Sequence, residues 1–250
     1  MYSNSKPVFA AVIAAGGSGS RFASGTPNVA AKSKQFLELR GRPLYWWSVL
    51  AMSKHPLMLR IVLVAPSAFL DDVSQEAKGL SSKYNLSQSL EFVVGGQSRQ
   101  ESVFKALQHL DGEGEKPDFV LIHDAARPFL DFETIDRVIN HAIKYDACTV
   151  GVAVSDTIKR VDGDKVLETI PRDQLVAVQT PQGARFRDLL AAHLEARRSG
   201  VNTTDDAALL EWFGKDVRVV AGPACNLKLT QPLDLILAQA LGDFLLKDPL

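Results

Sequence analysis

The segment V-F-A-A-V-I-A-A-G-G-S-G-S-R, residues 8–21, passes from an apolar run straight into a cluster of glycines. Val8 to Ala14 is almost continuously hydrophobic, the pattern of a parallel strand covered on both faces. Four more runs of that kind follow, at Arg60 to Val64, Leu90 to Val94, Phe119 to His123 and Cys148 to Val154. Helical patterns lie between them, at Leu44 to Lys54, Ser67 to Lys78, Ser98 to His109 and Phe132 to Tyr145. Ser98 followed three residues later by Glu101 reads as a capping box, and Asp131 as the N-cap of the fourth helix. The alternation predicts an α/β fold built on a doubly wound, mostly parallel sheet.

The rhythm breaks between Ser155 and about Gln179. There T-I-K-R-V, the turn D-G-D and K-V-L-E-T-I predict a β-hairpin, a projecting arm over about residues 155–178. Its apolar Ile158, Val161, Val166 and Ile170 need cover, from a second subunit or from the chain's own body. Beyond the arm come a helix from Phe186 to about Ser199 and another from T-T-D-D to Gly214. A strand near Val217 to Ala221, an extended N-L-K-L-T and a last helix opened by Pro232 complete the pattern. No repeat, low-complexity tract or linker interrupts it, so residues 1–250 are expected to form a single domain with an arm.

Composition removes several classes of function. The 28 Lys and Arg against 29 Asp and Glu give a net charge of -1, without the basic excess expected of a nucleic-acid partner. Two cysteines, Cys148 and Cys225, are too few for a disulfide framework. The longest apolar run, Val8 to Ala15, falls far short of the roughly 20 residues that span a bilayer, and M-Y-S-N-S-K-P lacks a signal-peptide pattern. A soluble protein of a reducing cytoplasm is the expectation.

In an open parallel sheet, ligands gather at the carboxyl ends of the strands. Residues 14–21, A-A-G-G-S-G-S-R, stand at the first such end. Glycines there let backbone N–H groups approach a polyphosphate, and Arg21 adds charge. The string is not a P-loop, and Phe22 stands where the dinucleotide fingerprint needs a glycine. An ordinary tight turn is the competing account. Lys32, Lys34 and Gln35 follow closely and favour a triphosphate. V-L-I-H-D-A-A-R-P, residues 120–128, puts Asp124 at a strand end, where it suits Mg²⁺ on phosphate oxygens, with Arg127 to neutralise the anion. Alternatively, Asp124 caps its turn and pairs with Arg127. His123, alone inside a strand, reads as a core residue without chemistry. G-G-Q-S-R-Q-E-S-V, residues 95–103, offers glycines and Ser102 at a third strand end, or is only a strand exit with its cap. Arg172, Thr180, T-T-D-D at 203–206 and Lys228 add charge and hydroxyls. Each alone is also readable as a surface residue, and Thr204 as a helix cap.

Taken together, A-A-G-G-S-G-S-R, K-Q-F, G-G-Q-S-R-Q-E-S-V, H-D-A-A-R-P, D-T-I-K-R-V, Q-T-P-Q, T-D-D-A and N-L-K-L-T resemble, in order, the 2-C-methyl-D-erythritol 4-phosphate cytidylyltransferase family of the non-mevalonate isoprenoid pathway. The resemblance implies a glycosyltransferase-A-like nucleotidyltransferase fold, a homodimer joined through exchanged arms, and Mg²⁺-dependent use of CTP and a sugar-alcohol phosphate. Carried over by position, Arg21, Lys34 and Lys228 look catalytic and Asp124 resembles the metal-binding Asp. Ala14, Ala15, Gly16, Gly17, Gly19, Gly96, Ser102 and Arg127 match the nucleotide site. Thr157, Arg172, Thr180 and Thr204 match the substrate side, with Thr157 and Arg172 reaching the partner subunit's site. Two departures stand out. The link between Arg21 and Lys34 is longer than usual, so Lys32 competes with Lys34 (Gln35 favours Lys34), and Cys225 precedes Asn226 where a polar or acidic residue is common.

The implied reaction is attack by a sugar-phosphate oxygen on the α-phosphorus of CTP. A phosphate monoester with a second pKa of about 6 is already mostly deprotonated at neutral pH, so no general base is required. The nearest rival is a ribitol 5-phosphate cytidylyltransferase. A-A-G, R-Q-E-S-V, H-D-A-A-R-P and T-D-D-A lean away from it. A non-catalytic nucleotide-binding module is the rival from another class.

Overall fold

A computed structural model describes residues 6–15, 37–112 and 114–246. Seven strands form the central sheet: β1 (Phe9–Ala14), β4 (Met58–Ala65), β5 (Ser89–Val94), β6 (Phe119–Asp124), β7 (Ala147–Ala153), β10 (Val176–Arg185) and β11 (Arg218–Ala221). Across the sheet their order is β11-β7-β10-β6-β1-β4-β5. β1 lies parallel between β6 and β4, and β5 continues in parallel on the β4 side. β10 runs antiparallel to both β6 and β7, while β11 is parallel to β7. Six strands therefore share one direction, and the sheet is mostly parallel as expected.

The alternation along β1 explains why helices cover both faces. Phe9, Ala11 and Ile13 enter one buried cluster and Ala10 and Val12 the other. The first cluster is closed by α1 (Leu44–Ser53), α2 (Leu70–Lys83), α4 (Phe132–Tyr145) and α7 (Pro232–Leu245). The second is closed by α3 (Arg99–Gly112), α5 (Phe186–Ser199) and α6 (Asp206–Trp212). α4 shows how local sequence makes a helix. Asp131 accepts a hydrogen bond from the Thr134 N–H at 2.6 Å, Ile135, Val138, Ile139 and Ala142 recur at helical spacing on the buried side, and the helix stops at Asp146, whose φ is +69°.

Four details differ from the sequence expectation. α2 begins after a 3₁₀ turn at Ser67–Phe69 and continues past Lys78 to Lys83, because Leu80 still packs on the core and one mid-helix glycine, Gly79, costs only about 1 kcal/mol. β10 has no counterpart in the sequence reading. Pro181 argues against a central strand, yet it falls in the irregularity between Val178 and Gln182, where the ladder needs no donor; the Thr180–Pro181 peptide is cis. A small hairpin, β2 (Glu38–Leu39) with β3 (Arg42–Pro43), turns through Arg40 and Gly41, both at positive φ. Finally, Thr204 is not the cap of α6. Asp205 is, its carboxylate accepting from the Ala208 N–H at 2.9 Å, because helical geometry starts one residue later than the T-T-D-D string suggests.

The arm is β8 (Ile158–Asp162) paired antiparallel with β9 (Lys165–Ile170) as a separate two-stranded sheet. Gly163 at φ +58° makes the turn possible. Val161 and Val166 face one another across the ladder at 55% and 54% exposure.

Candidate active site

The carboxyl ends of β1, β4, β5 and β6 make one edge. Ala14 and Asp124 are register partners at the ends of β1 and β6. The Ala15 N–H bonds to the Val64 carbonyl at 2.8 Å and the Gly95 N–H to the Ala65 carbonyl at 2.8 Å, stepping the edge across to β5. Beyond β5 the chain makes a tight turn into α3. The Gly96 N–H donates to Ser102 Oγ at 3.0 Å, and that hydroxyl donates to the Ser98 carbonyl at 2.8 Å. Ser98 Oγ accepts from the Glu101 N–H at 3.0 Å. The return half of the expected capping box reaches one residue further back, since Glu101 Oε2 accepts from the Gln97 N–H at 2.8 Å. A Cβ on residue 96 would lie 2.4 Å from the Glu101 side chain, so the turn demands glycine there.

Asp124 is the centre of the charge pattern. It is 7% exposed, and its two oxygens take different cations. Arg99 Nε donates to Oδ1 at 3.0 Å, and Lys228 Nζ to Oδ2 at 2.6 Å. Burial works against the charged form, but Arg99 and Lys228 outweigh it and hold the carboxyl well below the usual carboxylate range. Arg99 also reaches a second buried acid, its Nη1 donating to Asp206 Oδ2 at 2.7 Å. Asp206 in turn lies 3.2 Å from His193 Nε2. Burial would raise the Asp206 pKa, yet Arg99 and His193 bring it below its ordinary value.

Thr180 fixes Asp124 from behind. Its Oγ1 accepts from the Asp124 N–H at 3.1 Å and donates to His123 Nδ1 at 3.0 Å. His123 Nε2 lies 3.1 Å from the Arg127 carbonyl, which can only accept, so Nε2 carries the proton. Burial pushes the His123 pKa down to about 4, and the ring is a neutral, hydrogen-bonded core group. Arg127 sends Nη1 to the Asn226 carbonyl at 2.7 Å and Nη2 toward the Val178 carbonyl at 3.5 Å. It therefore anchors the irregular N-L-K segment, and with it Lys228. Asn226 itself donates to the Thr180 carbonyl at 2.9 Å and to Gln179 Oε1 at 3.1 Å.

Of the residues singled out from sequence, Ala14, Ala15, Gly96, Ser102, Asp124, Arg127, Thr180 and Lys228 belong to this edge and its supports. Ser102 shapes the turn, while Thr180 and Arg127 are framework groups of Asp124 and Lys228. Thr204 is exposed just before α6. Thr157 and Arg172 are exposed at the root of the arm, where Arg172 hydrogen-bonds the Ser155 carbonyl. Gly16, Gly17, Gly19, Arg21, Lys32, Lys34 and Gln35 lie outside the described residues. The sequence reading missed Arg99, Asp206, His193 and Gln182. Gln182 ties α6 to β10 by accepting from the Asp206 N–H at 2.9 Å and donating to Asp205 at 2.8 Å. Arg99, Gln182 and Asp206 stood inside quoted strings, so their motifs were the available signal.

Among the described residues, no three His, Cys, Asp or Glu side chains group around a common metal position. Mg²⁺ does not need such a cage, being held through one or two carboxylates together with substrate phosphates and waters. Asp124 fits that requirement. It stays ionised, and the ammonium group on Oδ2 shows that this oxygen accepts a cation. Among the described residues, no helix is long and apolar enough to cross a membrane.

A mostly parallel sheet with a glycine turn, an ionised aspartate and fixed cations along one carboxyl edge defines an α/β nucleotidyltransferase. The family model for 2-C-methyl-D-erythritol 4-phosphate cytidylyltransferase (IspD) matches residues 9–243, and the chain belongs to that family. The 2-C-methyl-D-erythritol 4-phosphate cytidylyltransferase of Halalkalibacterium halodurans is 39% identical over 233 residues, 93% of this chain and 96% of that protein. Among solved structures, the 4-diphosphocytidyl-2C-methyl-D-erythritol synthase of Anaerococcus prevotii superposes with a TM-score of 0.78 at 28% identity, covering 95% of this chain and 99% of its own. The 2-C-methyl-D-erythritol 4-phosphate cytidylyltransferase of Thermus thermophilus does so with a TM-score of 0.73 at 30% identity, covering 95% and 100%.

Proposed function

We propose that this protein transfers the cytidylyl group of CTP to 2-C-methyl-D-erythritol 4-phosphate, forming 4-diphosphocytidyl-2-C-methyl-D-erythritol and releasing pyrophosphate. One observation carries the reading. Asp124, at the end of β6, is kept ionised between Arg99 and Lys228 on the edge where the glycine turn of β5 also ends. Membership of the family supports the choice of substrate. The ribitol 5-phosphate alternative is not favoured, because the matching family and relatives carry the methylerythritol name.

In the proposed reaction an oxygen of the sugar phosphate forms a bond to the α-phosphorus. The bond from that phosphorus to the β-phosphate bridging oxygen breaks, and its electron pair leaves with pyrophosphate. The nucleophile needs no proton removed, consistent with the neutral, internally bonded His123. The work left to the protein is positioning and charge neutralisation. Asp124 would hold Mg²⁺, which when bound neutralises phosphate charge. Lys228, two residues beyond the Asn226 carbonyl that Arg127 holds, would draw the two reacting phosphates together against their repulsion. Arg21 and Lys34 are assigned to the triphosphate, with Ala14, Ala15, Gly16, Gly17, Gly19, Gly96 and the Ser102-braced turn around the nucleotide. Thr157 and Arg172 are assigned to the sugar phosphate across a homodimer joined by arm exchange, which the exposed Val161 and Val166 support. A single cytoplasmic domain completes the proposal.

The test is pyrophosphate release by the purified protein. Release is expected only when CTP, 2-C-methyl-D-erythritol 4-phosphate and Mg²⁺ are all present, with background levels when ribitol 5-phosphate replaces the first sugar. CTP binding without release under those conditions would establish the non-catalytic alternative instead.

A further inference from the structure

Arg60 and Arg99 grip a half-buried and a buried carboxylate respectively, and they do so differently. Arg60 closes a two-pronged fork on Glu91, Nε to Oε1 at 2.7 Å and Nη2 to Oε2 at 2.6 Å. This is the preferred pairing of a guanidinium edge with a carboxylate. Arg99 presents the same edge to Asp124, yet only Nε makes contact, with Oδ1 at 3.0 Å. Nη2, the nitrogen that completes the fork at Arg60, is buried at Arg99 and makes no hydrogen bond among the described residues. The pull in another direction is visible, since Nη1 is held at 2.7 Å by Asp206 Oδ2. Asp206 is itself fixed, with Oδ1 at 3.2 Å from His193 Nε2 and its N–H at 2.9 Å from Gln182 Oε1. His193 is buried and stacks on Phe104.

We propose that Asp206 is a positioning residue for Asp124, acting through Arg99: it holds the guanidinium to a single contact with Oδ1, so that Oδ2 stays available to Lys228 and to the divalent cation of the reaction. Without the Asp206 charge, Arg99 closes its fork on Asp124 and takes Oδ2 as well. The inference rests on the cytidylyl-transfer reading of the site. Asp206 belongs to T-D-D-A and Arg99 to G-G-Q-S-R-Q-E-S-V, so the contact joins the string carrying Thr204 to the turn assigned to the nucleotide.

Wild-type pyrophosphate release is read first; its absence would defeat the functional reading and not this one. Given wild-type turnover, Asp206→Asn, nearly isosteric, is expected to lower kcat about 10–100-fold, the range for partners of a metal-holding group. CTP affinity by calorimetry stays near wild type, while Mn²⁺ affinity of the CTP complex, read by water-proton relaxation, falls with kcat. Lysine cannot form the fork. In an Arg99→Lys background, Asp206→Asn is therefore expected to add no further loss of Mn²⁺ affinity, a non-additivity diagnostic of coupling. That comparison stands even if Asp206→Asn alone does not fold. Unchanged kcat and Mn²⁺ affinity in Asp206→Asn, a parallel loss of CTP affinity, or a further Mn²⁺ loss in the double variant would overturn the proposal.

Discussion

At Asp124, three physical effects act on one side chain. Burial favours the neutral acid, two cations favour the carboxylate, and the backbone of the same residue is held by Thr180. The balance leaves a charged group nearly out of water, the condition in which electrostatic contacts are strongest. Asp124→Asn keeps the shape and removes the charge. Its kcat is expected to fall about 10²–10³-fold in the pyrophosphate assay, with circular dichroism unchanged. Gly96→Ala tests the neighbouring turn. The added methyl would meet the Glu101 side chain at 2.4 Å, disturbing the turn that the Gly96–Ser102 and Gln97–Glu101 hydrogen bonds hold in shape beside the assigned nucleotide site, so the KM for CTP is expected to rise more than kcat falls. Asp124 and Lys228 could be read from their strings because a strand end and a local pattern mark them. Arg99 could not be given its part in that way. Its role comes from meeting Asp206, 107 residues away, and no local spacing encodes such a meeting.

The elements show the same division between local and distant information. α4 was legible because its cap, its apolar spacing and its end all lie close together in the chain. The arm was legible for the same reason, through an Asp-Gly turn between alternating segments. β10 was not, since its place depends on pairing with β6 and β7, and its proline denies the local pattern of a strand. For the arm, Val161, Val166 and Leu167 are more than half exposed, and Val176 and Val178 at the start of β10 are exposed as well. Val161→Asp combined with Val166→Asp places charge on that surface while leaving the hairpin turn intact. Light scattering after size exclusion is expected to give a dimer for the wild type and a monomer for the variant. Arm sharing makes a second demand. Mixing Arg172→Ala chains with Arg21→Ala chains is expected to restore part of the lost activity, because one site in the mixed dimer regains both arginines. No rescue after verified subunit exchange would remove Arg172 from the partner's site.

Across the whole molecule, two helical layers close on one sheet, and a charged group on the sheet is kept there by its partners. Glu91 on β5 is held by Arg60, and also by His109 at 2.6 Å. Burial raises its pKa, but the Arg60 fork and the His109 contact prevail and bring it below its ordinary value of 4.5. The folded state therefore binds the proton less readily than the unfolded chain. This contribution to stability is complete above about pH 4.5 and is lost as pH falls through the lower folded value. Glu91→Ala is expected to cost on the order of 3 kcal/mol by urea unfolding at neutral pH, and to unfold with a shallower loss of stability over that acid range.

The order of the sheet also governs what happens while the chain is being made. β6 and β7 are separated in space by β10, which is synthesised after both of them and after the arm. Until residue 185 has left the ribosome, β6 has an open flank of fully buried residues, Val120, Leu121 and Ile122, and an unfilled strand flank invites pairing with other chains. A nascent chain halted at the arm thus carries β6 still unpaired on one side, and synthesis from the end of β6 to residue 185 becomes the period in which this protein is most open to such pairing.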